Sequence, residues 1–305
     1  MNANSRANKT LMIGVLIGAL LTAGAGQTAN GIDAAYQQSF DKWKAGLAEG
    51  LKQDWLPLAG LFWLKQGENS FGSDPKNAVV FPKGPGRAGS FLLHDKDVTL
   101  QLAPGITATI DDKPGAQAKL QPDISGHPTE VAIGSLYFHV IVRGQRIGIR
   151  LSDQESDAVR NWPGLQFFPL NMNYRVTAKW VPAEGKRTVA VPDVLGDVHE
   201  QPVAGTVVFK INGEEVQLTD LRGEPTKGLF FVFNDLTSKT DTYPGGRFLQ
   251  TGGVVDGKVE IDFNRAYNPP CAVTPYATCP LAPKENRLRV AISAGEKYDH
   301  ARGQR

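Results

Sequence analysis

The first part of the chain carries apolar residues at a helical period. They recur every three or four positions, at Ile32, Tyr36, Phe40, Trp43, Leu47 and Leu51. A stripe of this spacing covers one face of an α-helix, and Asp33 at its start is a residue type that caps helix N-termini. The pattern predicts an amphipathic helix over 32–51 that packs its apolar stripe against the rest of the protein.

From Leu58 onward the apolar period shortens to two. Gly, Pro and Asp separate the apolar runs, which is typical of β-strands joined by turns. The predicted strands cover 59–64, 69–71, 78–81, 98–102, 106–110, 131–133, 136–142, 146–151, 174–181, 229–233, 247–250, 258–263 and 288–292. Asn212 and Gly213, between two alternating runs, predict a tight hairpin turn because both turn positions need positive φ. The fold is therefore predicted to be mainly β, with one N-terminal amphipathic helix.

The first 25 residues have the order of a secretion signal. Arg6 and Lys9 supply the positive region, residues 11–23 are apolar, and Ala25 completes a small-residue cleavage pattern. An uncleaved membrane anchor is the alternative, but a spanning helix needs about 20 apolar residues, and this run is shorter. We predict cleavage near Gly26 and a secreted or periplasmic protein with no stable membrane insertion.

Charge and the lack of familiar motifs exclude several classes of function. The chain has 33 basic and 31 acidic residues, and without Arg6 and Lys9 the two counts are equal. A neutral protein has no general electrostatic attraction for nucleic acid. The sequence also lacks the Gly-x-Ser-x-Gly, His-Glu-x-x-His, phosphate-binding and dinucleotide-binding motifs. We expect no nucleic-acid partner, no metal and no cofactor.

The polar stretch over 262–279, DFNRAYNPPCAVTPYATC, is the main candidate for a binding site. It has no helical or strand period beyond its first residues, and its prolines make it rigid. The predicted ligand-binding residues within it are Asp262, Asn264, Arg265, Tyr267 and Asn268. Arg265 is expected to bind an anionic group and Tyr267 to stack or donate a hydrogen bond. A rigid loop loses little entropy on binding, although a structural connector is the alternative.

Cys271 and Cys279 are the two cysteines of the protein, and both lie in this loop. In an oxidising compartment such a pair predicts one disulfide, which would stiffen the loop by closing it. A metal site is the alternative, but two sulfurs alone do not complete a zinc shell. We therefore predict a disulfide here.

Carboxylates near the same loop leave a second function open, that of a hydrolase. Asp262 ends one predicted strand, Glu285 begins the last one, and Glu296 follows it. If these strands pair, the carboxylates approach one end of a sheet, and two of them with separated pKa values suffice for acid–base catalysis. Arg247 or Arg265 would then hold the substrate. The alternative is that these groups bond to the backbone and to one another.

A charged segment over 153–162 interrupts the strand pattern and joins the two halves of the chain. Together with the arginine before it, the charged residues are Arg150, Asp153, Glu155, Asp157 and Arg160. Pockets are common between domains, so Arg150, Asp153 and Arg160 are further candidates for ligand binding. A salt-bridged linker is the alternative, and the sequence leaves both open.

Residues 65–82, KQGENSFGSDPKNAVVFP, resemble the opening of a forkhead-associated domain. The positions that match by type and spacing are Gly67, Glu68, Gly72, Asn77 and Pro82. The resemblance implies a β-sandwich that ends near Leu151. Ser73 stands where that family has its phosphate-binding Arg, so the resemblance carries no expectation of phosphopeptide binding.

Four motifs occur in order along the chain: GLFWLKQGEN from Gly60, TYPGGRFL from Thr242, the loop from Asp262, and ENRLRVAISAGEK from Glu285. Together they resemble a prokaryotic family known only as a domain of unknown function, number 1684. The resemblance covers 55–297. It implies no particular reaction, because that family has none assigned.

These patterns divide the chain into a signal peptide (1–25), an N-terminal helix (26–54), a forkhead-associated-like sandwich (55–152), a connecting segment (153–173), a C-terminal β domain (174–297) and a tail (298–305). The predicted function is binding of a small polar ligand or an envelope partner through 262–279. The alternative is a metal-independent hydrolase with paired carboxylates in the C-terminal domain. A cleft that gathers acid, Arg and Tyr side chains would favour the enzyme.

Overall fold

The computed structural model describes residues 32–301 of the chain. The predicted signal peptide over 1–25 lies outside these residues, and so does the end of the predicted tail. Within the described part of the chain, no helix is both long enough and apolar enough to cross a membrane.

The predicted N-terminal helix is confirmed. Helix α1 spans Ala34–Gly50 and continues as a π-helical turn over Leu51–Trp55. The Asp33 carboxylate accepts a hydrogen bond from the Tyr36 amide at 2.6 Å, as expected of a helix cap. Tyr36 and Phe40 are buried, so the apolar stripe packs against the protein.

The first half of the chain forms two facing sheets around one core. Its strands are β1 (Leu58–Trp63), β2 (Gly67–Gly72), β3 (Val79–Val80), β4 (Gly89–His94), β5 (Asp97–Leu102), β6 (Thr109–Ile110), β7 (Lys113–Pro114), β8 (Gln117–Leu120), β9 (Val131–Ile133), β10 (Leu136–Arg143) and β11 (Arg146–Asp153). The six-stranded sheet has the order β1-β11-β10-β9-β6-β7, and the five-stranded sheet has the order β3-β2-β4-β5-β8. Between them the Phe71 ring stacks on Phe91 and meets Phe138 edge-on at 5.7 Å.

This arrangement is a β-sandwich, but kinship with the forkhead-associated family stays a prediction. Ser73, at the position of that family's phosphate-binding Arg, donates its hydroxyl to the Gly84 carbonyl at 2.8 Å. Its side chain therefore braces a loop. The predicted domain boundaries likewise stay predictions.

The second half of the chain is built from smaller antiparallel sheets. Its strands are β12 (Arg175–Pro182), β13 (Thr188–Pro192), β14 (Val198–Pro202), β15 (Gly205–Ile211), β16 (Glu214–Thr219), β17 (Phe230–Phe233), β18 (Arg247–Gln250) and β19 (Lys258–Asp262). The largest sheet has the order β16-β15-β12-β19, while β13 pairs with β14 and β17 with β18. The prediction of a mainly β protein with a second antiparallel unit is confirmed.

The predicted strand over 288–292 is wrong. Leu288 and Val290 are buried, which produces the alternating pattern, but the segment joins no sheet ladder. It makes single backbone bonds instead, from the Leu288 amide to the Asn234 carbonyl at 2.7 Å and from the Leu236 amide to the Val290 carbonyl at 3.1 Å. Alternating burial therefore arose here without strand pairing.

Opposite stability effects are expected from two glycine-to-alanine changes. Gly213, in the confirmed hairpin turn, has a φ of +83°, so Gly213→Ala should cost about 1–2 kcal/mol of unfolding free energy. Gly46 lies in α1 with open space around an added Cβ, so Gly46→Ala should stabilise by about 0.5–1 kcal/mol. Urea denaturation measures both, and shifts of the same sign would contradict the assigned backbone conformations.

Candidate functional site

A cleft of about 310 Å³ lies where the polar loop meets the connecting segment and the end of the chain. Its walls come from residues 158–166, 268–273 and 296–299, with Leu56 beside them. Its apolar lining residues are Leu56, Ala158, Trp162, Pro163, Ala272 and Val273. The volume falls in the lower range of small-molecule sites, which begins at about 300 Å³.

Glu296 is a buried carboxyl at the wall of this cleft. Its backbone is fixed on both sides, by a bridge to Phe167 and by a 2.8 Å bond from its amide to the Ala266 carbonyl. Its Oε2 atom accepts a hydrogen bond from the Asn268 amide at 2.8 Å. Only 5% of the residue is exposed, so its position is set by the surrounding chain.

Burial raises the pKa of Glu296 from its usual 4.5 to about 7. Desolvation disfavours the charged form, and the hydrogen bonds from Asn268 and the charge of Arg247 offset only part of this effect. Near neutral pH both the charged and the protonated form of the carboxyl are therefore populated. A buried group with a strongly shifted pKa at a cleft wall is a mark of functional sites.

Asn268 places a second acceptor in the same cleft. The Nδ2 atom of its side chain donates to the Lys297 carbonyl at 2.9 Å. Because a carbonyl oxygen can only accept, this bond determines which end of the side-chain amide is nitrogen and which is oxygen. Its Oδ1 atom is buried and has no hydrogen-bond partner. A buried acceptor without a partner costs about 1–3 kcal/mol. The wall of the cleft therefore contains a buried acceptor whose hydrogen-bonding capacity is unused.

The raised pKa gives a pH prediction. A carboxyl whose pKa is raised by folding binds its proton more tightly in the folded state, so its contribution to stability is complete below pH 4.5 and is lost as the pH rises through about 7. Glu296→Gln removes this dependence. The unfolding free energy of Glu296→Gln relative to wild type should increase by about 1.4 kcal/mol per pH unit across that window. If urea titrations show that the difference in unfolding free energy between the two proteins does not change with pH, the pKa of Glu296 is not raised by folding.

Three other residues of the predicted site line a different groove, of about 1130 Å³, between α1 and the second half of the chain. They are Asp262, Arg265 and Tyr267. The Asp262 carboxylate accepts the Tyr36 hydroxyl at 2.9 Å, and Arg265 donates from Nη2 to the Ser39 hydroxyl at 2.7 Å. Both side chains thus tie α1 to the loop.

Tyr267 and Asn264 are also engaged within the protein. The Tyr267 hydroxyl accepts from the Gln250 amide at 2.7 Å. Asn264 bonds the backbone of Asn171 on both sides, accepting at 3.0 Å and donating at 3.0 Å. A ligand-binding role for these residues stays a prediction, and their observed contacts hold the loop in place.

The comparison with known families concerns this part of the chain. Residues 160–297 match the family described as Protein of unknown function (DUF1684). This C-terminal part of the chain belongs to the family. The matched range contains Trp162, Asn268 and Glu296, and therefore the acceptors and the largest apolar side chain of the cleft.

One solved structure is similar to part of this DUF1684 protein. It is the solution NMR structure of an uncharacterized protein from Haloarcula marismortui, with 30% sequence identity and a TM-score of 0.39. The similarity covers 46% of this chain and 80% of that one. No curated protein matches the chain.

The three candidate carboxylates of this DUF1684 protein are not brought to one place. Glu296 lines the cleft and Asp262 lines the groove beside α1. Glu285 lies in a 3₁₀ turn over Lys284–Asn286. The strand pairing that would have gathered them does not form, because residues 288–292 join no sheet.

Arg247 lies in the core. None of its side chain is exposed, and its guanidinium pairs with the equally buried Asp235 carboxylate. Its Nη2 atom also donates to the Ile292 carbonyl at 3.1 Å, and Nη1 donates to the Ala294 carbonyl. The terminal nitrogens of Arg247 are thus used inside the protein, and its ligand-binding role stays a prediction that this geometry does not favour.

The charged set at the junction of the two halves does not form one site. Asp153 pairs with Lys83 at 2.8 Å, and Arg160 pairs with Asp157 at 2.6 Å on the single helical turn α2 (Asp157–Arg160). Arg150 lies apart from both, under residues 276–278. For Asp153 and Arg160 the contacts agree with a salt-bridged linker.

The predicted disulfide is wrong: Cys271 and Cys279 are free thiols. Each sulfur instead accepts a hydrogen bond from the backbone amide of the other cysteine, at 3.2 and 3.4 Å. The spacing of the two cysteines did bring them together, but the loop is held by these bonds and by its prolines.

Within residues 32–301, one group of side chains has the composition of a metal site. Asp193, Asp197 and His199 place their ligand atoms within 4.8 Å of one another. These atoms already have partners, since Asp193 bonds His199 at 3.0 Å and Asp197 pairs with Arg146 at 3.0 Å. The cluster is accounted for as a brace between β11 and the β13–β14 hairpin.

Sequence reasoning missed the apolar half of the cleft. Trp162 ends the charged segment and Pro163 follows it, and no period or motif marks them as site residues. Glu296 was considered as a catalytic acid, although its burial was not foreseen. The only sequence signal available was that Trp162 is a large apolar residue in an otherwise charged stretch.

Proposed function

We propose that this protein binds a small polar ligand in the Glu296 cleft, and that it does so outside the cytoplasm. The single observation that carries the proposal is the unpartnered Oδ1 of Asn268 beside the buried Glu296 carboxyl at a cleft wall. The location rests on the N-terminal pattern, and N-terminal sequencing of the exported protein should begin near Gly26. A full-length chain retained in the membrane would contradict the location without affecting the site.

The chemistry of the cleft favours a ligand with hydrogen-bond donors on an apolar body. Glu296 and Asn268 bring oxygen acceptors to the cleft wall, and Trp162 and Val273 bring apolar surface. An amine fits best, because an ammonium group satisfies the amide oxygen and favours the charged form of the carboxylate.

Binding is favoured over hydrolysis by the placement of the carboxylates. Acid–base hydrolysis needs two groups within reach of one substrate. Asp262 is engaged with Tyr36, and Glu285 does not line the cleft. The pair that the hydrolase hypothesis required is therefore divided between different parts of the molecule.

A thermal-shift screen of small amines, neutral amides and polyols tests the proposal. Amines should raise the melting temperature of the wild type, and Glu296→Gln should weaken binding by about ten- to hundredfold, the cost of a charged hydrogen bond. Glu285→Gln is the matched control, because Glu285 is a half-buried carboxylate outside the cleft. No response to any compound, or equal responses in both variants, would rule out the Glu296 cleft as the site.

A further inference from the structure

A second cleft, separate from Glu296, lies on the outer face of the six-stranded sheet. Strand register pairs Tyr137 with Ser152 and His139 with Arg150 on β10 and β11. Residues two apart on a strand, and their register partners, project from the same face. All four line a cleft of about 420 Å³, and Trp55 from the end of the N-terminal helix closes one side.

Arg150 is a buried charge without an anionic partner. Only 8% of the residue is exposed. Its Nη2 atom lies 3.4 Å from the Thr278 hydroxyl and 3.5 Å from the Tyr276 carbonyl, both long for hydrogen bonds, and its Nε atom has no partner. No carboxylate within residues 32–301 forms an ion pair with it.

The neighbouring arginines of the same sheet, unlike Arg150, have carboxylate partners. Arg143 pairs with Asp123 at 2.6 Å, and Arg146 pairs with Asp197 at 3.0 Å. Both are more exposed than Arg150, so water stabilises their charges better and an ion pair matters less to them. Burial and the Arg143 charge lower the pKa of Arg150. A buried charge without a counter-ion costs several kcal/mol, and the fold retains it at the wall of an open cleft.

We propose that this cleft binds the oxyanion group of a small molecule, a carboxylate or a phosphate, with Arg150 as its counter-ion. The Arg150 guanidinium carbon lies 5.7 Å from the centroid of the Trp55 ring, a cation–π contact that helps to position the side chain. A guanidinium held in this way presents its donors to a planar or tetrahedral oxyanion as a fork.

The other side chains of the cleft supply neutral donors. Burial lowers the pKa of His139, so its ring is neutral and offers one N–H. Ser152 adds a hydroxyl. Asp54 and Glu130, both exposed, also line the cleft, and their charges disfavour a doubly charged anion. Of the two groups, the singly charged carboxylate is therefore favoured.

Anion-dependent melting of the purified protein tests this inference, with acetate and phosphate compared against chloride at matched ionic strength. Both oxyanions should raise the melting temperature of the wild type, acetate more strongly. Arg150→Met should lose this shift and bind about ten- to hundredfold more weakly by calorimetry. Arg160→Met, which changes an exposed arginine on α2, should respond like the wild type.

A buried charge without a partner also predicts the behaviour of the variant without anion. Arg150→Met should then melt at or above the wild-type temperature, because an uncompensated charge has been removed. If that variant does not fold, Ser152→Ala supplies the test, with weaker acetate binding as the expected result. Equal anion shifts in wild type and variant, or no shift in the wild type, would overturn the proposal.

Discussion

Arg247→Met is expected to cost about 3–5 kcal/mol of unfolding free energy, the typical loss when one member of a buried ion pair is removed. The Arg247 and Asp235 side chains are both fully buried and paired. Without the guanidinium, the buried Asp235 carboxylate is left without its ion-pair partner. The Ile292 and Ala294 carbonyls lose their donor at the same time.

Urea denaturation with Arg160→Met as the control measures this effect. Arg160 pairs with Asp157 at the surface, where an ion pair contributes about 0–1 kcal/mol. Both variants replace an arginine by methionine. The difference between their losses of unfolding free energy therefore measures the effect of burying the ion pair. A loss below about 1 kcal/mol for Arg247→Met would show that the pair adds little and that Arg247 is free to take another role.

Asp262→Ala is expected to loosen α1 from the second half of the protein and to cost about 2–3 kcal/mol, the range for a hydrogen bond to a charged group plus a lost cap. The carboxylate accepts the Tyr36 hydroxyl at 2.9 Å and the Asn264 amide at 3.1 Å. Burial and the nearby carboxylate raise the pKa of Tyr36, so the hydroxyl stays protonated and remains a donor.

Hydrogen exchange of the α1 amides gives the specific readout for Asp262→Ala. Exchange over Ala34–Gly50 should speed up more than in the β10–β11 ladder of the sandwich. Asp41→Ala is the control, because Asp41 is exposed on α1 and bonds only Gln37. Unchanged exchange in α1 would show that its aromatic contacts alone hold the helix in place.

Local sequence patterns predicted where the helix and the strands lie better than they predicted which segments pair with one another. The α1 stripe and its Asp33 cap follow from residues within a few positions of one another, and so does the Asn212-Gly213 turn. The wrong strand over 288–292 shows the limit of such patterns. Its alternation reflects burial of Leu288 and Val290, and sequence alone does not show whether a neighbouring strand is available to pair.

In the candidate site, too, contacts between distant parts of the chain could not be predicted from local sequence. A ligand-binding role for the loop over 262–279 stays a prediction, although its Asn268 lines the same cleft as Glu296. Asp262 and Arg265 contact Tyr36 and Ser39, each 226 residues away in sequence. Nothing near the loop signals that α1 will use those side chains. Their polarity, which suggested a ligand, is satisfied by the protein itself.

The most direct test of the Glu296 cleft is an NMR titration of the Glu296 side-chain carboxyl, with and without an amine selected by the thermal-shift screen. The midpoint should lie near 7 in the free protein and should fall when the amine binds, because an ammonium group stabilises the carboxylate. A midpoint near 4.5 that does not respond to the amine would contradict both the burial of the carboxyl and its role in binding.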